Sequence, residues 1–328
     1  MTALYLGGEK NIIVAELQVG AGRKLSLSPL QQLDVGAMPS FLAFRNNSPF
    51  VLAISEGDDR VVSLRRGGDG LLEPVSAQNC PGGPCYVAFD ASGSLALTAS
   101  YGSGETRSYR LGSDGQLSVE QSMIATGKYT HCVVPAPSGS LAYVASKGTD
   151  SVLAVAVDVA TGRLRLGQRF SFPAGSGPRH LVFNPEGDVA YVACENDSHL
   201  AACEVHDDNL RLLDHTPALA RKPTAKDSGA DVHLSSDGRF AYMSVRGEDC
   251  IAVFNVEGGA PRVLQRVDAG GRIPRNFCLL GEHLAVVANR GSSNLCVFAR
   301  DAVSGKLRRL GEVTTSQPAY WVGSVDSH

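Results

Sequence analysis

The sequence holds no long apolar run, no block of lysine and arginine, and a single tryptophan, Trp321. No segment approaches the roughly 18 consecutive apolar residues that a membrane-spanning helix needs. Formal net charge is −3 with the cations scattered, which argues against nucleic acid or an anionic membrane as the main partner. The opening MTALYLGGEK lacks a basic stretch followed by an apolar one, so no secretory leader is read and the expected compartment is the cytoplasm. Helical periodicity is missing throughout. Aromatic residues make up only 6% of the chain, too few for a broad apolar docking face.

Metal-ligand spacing is also missing. Cys80 and Cys85, in CPGGPC, are the one close cysteine pair, and no second pair of Cys or His stands nearby at zinc spacing. The pair reads as turn chemistry, and neither a metal nor another cofactor is expected. Cys132, Cys194, Cys203, Cys250, Cys278 and Cys296 lie in or beside apolar runs, as small buried hydrophobes do.

What the sequence does contain is a repeat. From Pro178 the chain reads PRHLVFNPEGDVAYVACENDSHLAACEV: strand, tight turn, strand, polar loop, strand. Similar copies begin at Pro39, Pro84, Thr130, Gly229 and Pro274, and a lone first strand begins near Pro318. Successive anchors are 44 to 51 residues apart, the period of four-stranded propeller blades. The N-terminal ALYLGGEKNIIVAELQ supplies a second and third strand with no first, and QPAYWV supplies a first strand with nothing after it. Joined across the termini they make a seventh blade. The expected fold is therefore all-β, one seven-bladed β-propeller domain over 1–328, with four-stranded antiparallel blades closed by pairing the two ends.

That topology predicts a site. The residue opening strand one and the residue closing strand two emerge on one face of the ring. Aligning the copies puts Ser40, Cys85, His131, Arg179, Ala230, Arg275 and Ala319 in the first slot. It puts Glu56, Tyr101, Lys147, Glu195, Arg246, Arg290 and Gly7 in the second. His180 and Asp231 sit beside the first slot, with His233 two residues deeper. Five cations and two carboxylates thus converge on one mouth of a slightly acidic protein. Such a set suits an anionic small molecule, a carboxylate or a phosphate. The plain alternative is a solvated rim whose charges only pair with one another. Tyr143, Tyr191 and Tyr242 recur at one strand-two position and read as packing residues. Asp150, Asp197 and Asp249 read as turn caps.

Gly177-Pro178-Arg179-His180 with Glu195 resembles the seven-bladed lactonase family, which comprises propeller-type 6-phosphogluconolactonases and the fungal carboxy-muconate cyclase. Ala230-Asp231-Val232-His233 ahead of Asp237-Gly238-Arg239, His131, Pro274-Arg275 and the tail QPAYWVGSV are similar to further family stretches. Cys194 departs from the family's Asn before the Glu. The resemblance implies metal-free opening of a sugar-acid lactone by water, most simply 6-phosphoglucono-1,5-lactone, with a catalytic set of His131, Arg179 and Glu195. Glu195 or His131 would deprotonate the water while Arg179 holds the carbonyl oxygen. Lys147, Arg246, Arg275 and Arg290, with His180, Asp231 and His233, would bind the substrate. A lactonase for a non-phosphorylated acid, a cyclase running the ring closure, and a non-catalytic binding propeller remain open alternatives.

Overall fold

The β-branched and aromatic runs between the Gly, Asp and Ser turns fold as strands. A computed structural model describes residues 2–20, 24–207 and 209–325, and residues 1, 21–23, 208 and 326–328 lie outside the described residues. Seven four-stranded antiparallel sheets are formed. Six follow chain order, from an innermost first strand to an outermost fourth. In the seventh, Ala319–Gly323 pairs with Thr2–Gly8, which continues to Ile12–Val19 and Leu25–Leu33. The two ends of the chain thus close the ring, and the seven blades of the sequence repeat are the seven blades of the structure.

Burial falls off from the axis outward. In blade one the second strand, Phe50–Ser55, is buried at every position, while the fourth, Leu72–Asn79, is buried only at Leu72. The apolar faces of neighbouring blades pack on each other, as where Tyr191 and Ala193 meet Val232, Met243 and Phe254. Two of the recurring tyrosines also latch the blades. Tyr191 donates its hydroxyl to Gly259 O (3.1 Å) and Tyr242 to Gly305 O (2.8 Å), each on the next blade.

Recurring aspartates fix where three of the blades begin. Asp59, Asp150 and Asp249 stand in left-handed conformation, with φ of 52°, 45° and 52°. Their carboxylates accept backbone N–H groups of the loop entering the next first strand: Gly83 (2.8 Å), Gly175 and Gly177 (2.8 Å each), and Ile273 (2.9 Å). Asp197 differs: its carboxylate accepts the local N–H of His199 (3.1 Å) and lies 3.3 Å from His215 Nε2.

Each first strand then carries a bulge. Pro178 pairs with Cys194 and His180 with Ala193, so Arg179 is left out of the ladder. Ser40, Cys85, His131 and Arg275 are skipped in the same way in blades one, two, three and six. In blade five the skipped pair is Ala230 and Asp231. A residue expelled from the ladder re-aims its side chain, and here the expelled side chains turn into the channel. The seventh blade corrects the sequence alignment by one residue. Ala319 pairs with Gly8 and Trp321 with Gly7, so Tyr320, not Ala319, takes the first slot, and Gly7 lies inside the sheet rather than at the mouth.

Candidate active site

Arg179 owes its place to the residue two before it. Gly177 sits at φ +65°, its N–H held by Asp150, and a Cβ there would come 2.5 Å from the Asn196 side chain. The chain therefore turns sharply into Pro178 and drops Arg179 into the channel, where it is 1% exposed. Its Nη1 donates to the carbonyl of Ala230, and its Nε lies 3.0 Å from Glu195 Oε2. That contact is an ion pair by distance, without the alignment of a hydrogen bond.

Glu195 is the hub of the mouth. Lys147 Nζ lies 2.5 Å from its Oε1, and Arg246 Nη2 lies 3.2 Å from its Oε2. Burial pushes this carboxyl up, but Arg179, Arg246 and Lys147 outweigh burial and bring it down to about 2. A carboxylate so held has little tendency to take a proton at neutral pH. It serves to gather three cations that would otherwise repel one another. The other half of the mouth is arranged more loosely. Arg275 Nη2 is 3.9 Å from Glu56 Oε2, and the Arg290 guanidinium lies over the Tyr320 ring at 4.3 Å. Opposite, Lys147 Nζ is 3.4 Å from the Tyr101 hydroxyl, and Tyr101 stacks on Tyr129 at 4.8 Å. Five cations face two carboxylates, so the mouth keeps an excess of positive charge, and two aromatic surfaces flank it.

Below the cations the channel narrows to a small cavity of about 10 Å³ lined by Ser40, Cys85, His131, Arg179, His180 and Arg275, with Phe41, Asn276, Tyr320 and Trp321 completing the wall. His131 is buried, its ring edge-on to Tyr101 (5.7 Å) and to His180 (5.1 Å). Burial, then the Arg179 charge, hold its pKa well below the usual imidazole value, so it is neutral. His180 Nδ1 meets Asp231 Oδ1 at 2.7 Å, and Asp231 Oδ2 meets His233 Nε2 at 3.0 Å.

This arrangement of a propeller ring, a cationic mouth and a histidine floor has known counterparts. The profile of the family described as "Lactonase, 7-bladed beta-propeller" matches residues 2–323. The chain belongs to that family. Among curated relatives of this lactonase family member, a 6-phosphogluconolactonase of Formosa agariphila is 38% identical over 142 residues, covering 42% of this chain and 40% of the relative. A 6-phosphogluconolactonase of Bacillus subtilis is 35% identical over 145 residues, covering 43% and 42%. The aligned stretches thus span less than half the length of those relatives. Over the whole fold, a Lactobacillus plantarum protein superposes with a TM-score of 0.88 at 26% identity, covering 98% of each chain. A periplasmic gluconolactonase of Pseudomonas aeruginosa gives 0.89 at 24% identity, covering 97% of each, a likeness of fold.

The structure brings Lys147, Arg179, Glu195 and Arg246 into direct contact, with Arg275 and Arg290 on the opposite side and His131 beneath. His180 and Asp231 lie on the floor rather than the rim. His233 opens toward the far end of the channel, where a pocket of about 280 Å³ is lined by Phe41, Phe44, Tyr86, Phe183 and Trp321 together with His180, Asp231 and His233. Sequence reasoning missed Tyr320, because it is the residue that the last strand expels opposite the Gly7–Gly8 step, and that pairing is made with the strand at the other terminus. It also missed Tyr129, which precedes the blade-three anchor and takes φ +59° to stack on Tyr101. Asn276, which follows Arg275 as His180 follows Arg179, was missed as well. It donates from Nδ2 to Asp231 and accepts the Val322 N–H (2.7 Å), tying the floor to the closing strand. The six cysteines read as small buried hydrophobes are buried, and so are Cys80 and Cys85, of which Cys85 lies in a strand rather than a turn.

Proposed function

We propose that this protein hydrolyses an anionic sugar-acid lactone, with 6-phosphoglucono-1,5-lactone, a pentose phosphate pathway intermediate, as the substrate. The observation that carries the reading is the excess of cations above a buried arginine. Lys147, Arg246, Arg275 and Arg290 lie where a phosphate would enter, and Arg179 lies below them where a lactone carbonyl would reach. A developing oxyanion next to a desolvated, fixed guanidinium is stabilised far more than it would be in water. Tyr101, Tyr129 and Tyr320 offer flat faces for the sugar ring. His131 and Glu195 complete the set, His131 as a neutral hydrogen-bonding group toward the reacting atoms and Glu195 as the anion that holds the cations in place. The names of the two curated relatives support the phosphorylated substrate. The eight buried free thiols suit a reducing compartment, so we place the reaction in the cytoplasm.

The test is a stopped-flow assay on freshly generated 6-phosphoglucono-1,5-lactone beside glucono- and galactono-lactones, each corrected for spontaneous hydrolysis. We expect acceleration of the phosphorylated lactone with a kcat/KM at least ~10-fold above that for gluconolactone, the worth of one good charge pair. No acceleration of any lactone would leave a binding propeller as the better reading. Equal rates for phosphorylated and plain lactones would point to a lactonase of non-phosphorylated acids.

A further inference from the structure

Resting on the lactonase reading above, the remaining question is which group takes the proton from water. Glu195 is committed to three cations, and His131 has no carboxylate partner among the described residues. The buried pair His180–Asp231 differs from both. Asp231 is 3% exposed, and its two oxygens accept the Val232 N–H (3.0 Å), the Phe277 N–H (3.3 Å), the Asn276 amide and the ring nitrogens of His180 and His233. Burial would raise its pKa, but His233 and the hydrogen bonds from His180 and His233 hold it far below the ordinary carboxylate value. Asp231 is therefore a fixed anion that only accepts. His180 Nδ1 must carry the proton in that 2.7 Å contact, which leaves Nε2 with its lone pair bare.

That lone pair has a destination. His180 Nε2, His131 Nδ1 and Ser40 Oγ are buried with no hydrogen-bond partner among the described residues, and all three residues line the cavity of about 10 Å³ under Arg179. Buried polar atoms are seldom left unsatisfied. A space of that size holds about one water, which needs two to four polar partners. The cavity offers three, and Arg179 shares its wall, so a lactone oxygen held by Arg179 would be a neighbour of this water.

We propose that His180, held in the Nδ1–H form by Asp231, is the general base of this enzyme, and that the nucleophilic water sits between His180, His131 and Ser40. Water oxygen adds to the lactone carbonyl carbon while one water proton passes to His180 Nε2. The carbonyl π pair moves to the oxygen facing Arg179. On collapse the ring carbon–oxygen bond breaks, and the departing ring oxygen takes the proton back from His180. The net change is lactone plus water to hydroxy acid, with the enzyme restored. Asp231 is the positioning residue, and the imidazolium formed in transit lies against its carboxylate.

Every element packed on His180 bears on its titration: Cys85 and Tyr86 from blade two, His131 from blade three, Arg179 on its own strand, Asp231 and His233 from blade five and Arg275 from blade six, with Phe41 and Trp321 apolar on the remaining sides. Burial and then Arg179 bring His180 down to about 4, against the pull of Asp231. In the free enzyme the base is thus neutral and competent above about pH 4, and kcat/KM should fall as pH drops through that value. A bound phosphate among the arginines offsets their field, so the acid limb of kcat should lie at higher pH than that of kcat/KM.

The experiment is kinetics from pH 3 to 8 on wild type, His180→Gln and Asp231→Asn, with binding of 6-phosphogluconate measured by calorimetry on each. His180→Gln should lower kcat by ~10²–10⁴-fold, the usual worth of a general base, with product affinity nearly unchanged. Asp231→Asn should lower kcat less and move the acid limb to lower pH, because the anion that raises the basicity of His180 is gone. Turnover in His180→Gln within about threefold of wild type would overturn the proposal, as would an unmoved acid limb in Asp231→Asn. If wild type accelerates no lactone, the functional reading fails instead, and the two failures are told apart by the wild-type rate alone.

Discussion

The two ends of the central channel are built from the same seven strands, yet they handle polar groups in opposite ways. At the mouth, charge is held by charge: Glu195 gathers Lys147, Arg179 and Arg246, and surplus cations remain on Arg275 and Arg290. At the far end the walls are aromatic, with Phe44 stacked on Trp321 at 6.0 Å and His233 edge-on to Phe277 at 4.7 Å. The carboxylate of Asp231 stands between the two ends, buried and held by two backbone N–H groups, the Asn276 amide and the His180 and His233 rings rather than by lysine or arginine. The difference teaches that an anion has a favourable way in from one side only. The aromatic end, with no lysine or arginine in its lining, lies against the histidine floor.

The comparison breaks most severely at its hub. Glu195→Gln leaves Lys147, Arg179 and Arg246 without their shared anion in a half-dry site. Removing one partner of a buried ion pair typically costs about 3–5 kcal/mol, and a loss near that size is expected in urea unfolding at pH 7. The pH dependence has a definite sign. The Glu195 carboxyl is depressed in the folded state, so its stabilisation is fully present above its ordinary value near 4.5 and disappears as pH falls toward about 2. The wild-type protein should lose that increment on acidification over this interval, and the Gln variant should not. Equal stability of the two at pH 7 would mean that the cations are held by something other than Glu195.

A gentler change probes the surplus rather than the hub. Arg290 packs on Tyr320 and makes no ion pair among the described residues. Arg290→Gln keeps length and polarity but removes the charge. We expect KM for the phosphorylated lactone to rise ~10-fold with kcat little changed, as for loss of binding shared by ground and transition states. KM for glucono-lactone should stay within about twofold. A parallel rise for both lactones would show that Arg290 does not meet the phosphate.

How much of this was legible in advance follows from where the information resides. Blade count, strand order and closure were readable because each blade repeats its own turns and apolar runs, and the slots followed by counting from Pro39 or Pro178. Arg179 and Glu195 were found in that way. The count failed at Tyr320, which the last strand of the chain expels opposite the Gly7–Gly8 step of the first. No local pattern in QPAYWV reports what Gly7 and Gly8 do. The role of Asp231 was equally hidden. In sequence it is a charged residue near a mouth. Only the two-residue bulge of blade five swings it inward to meet His180 from blade four and Asn276 from blade six. Contacts between blades depend on which residue each bulge expels, and a repeat alignment does not resolve that.

The smallest expected effect lies at the far end, and it is the one that sharpens the comparison most. His233 belongs to the aromatic pocket, yet it donates to the same carboxylate that orients His180. His233→Phe removes that donor and keeps a ring against Phe277. Asp231 would still be held by the Asn276 amide, two backbone N–H groups and His180, so the fold and the tautomer should survive. With one donor fewer, the anion acts more strongly on His180 and raises its pKa. The acid limb of kcat/KM should then move to higher pH, while turnover at neutral pH stays within about threefold of wild type. A fall beyond about tenfold would place the far end inside the catalytic machinery and end the division of the channel into an end that binds and an end that supports. A shift toward lower pH would mean that His233 acts on His180 by some route other than Asp231.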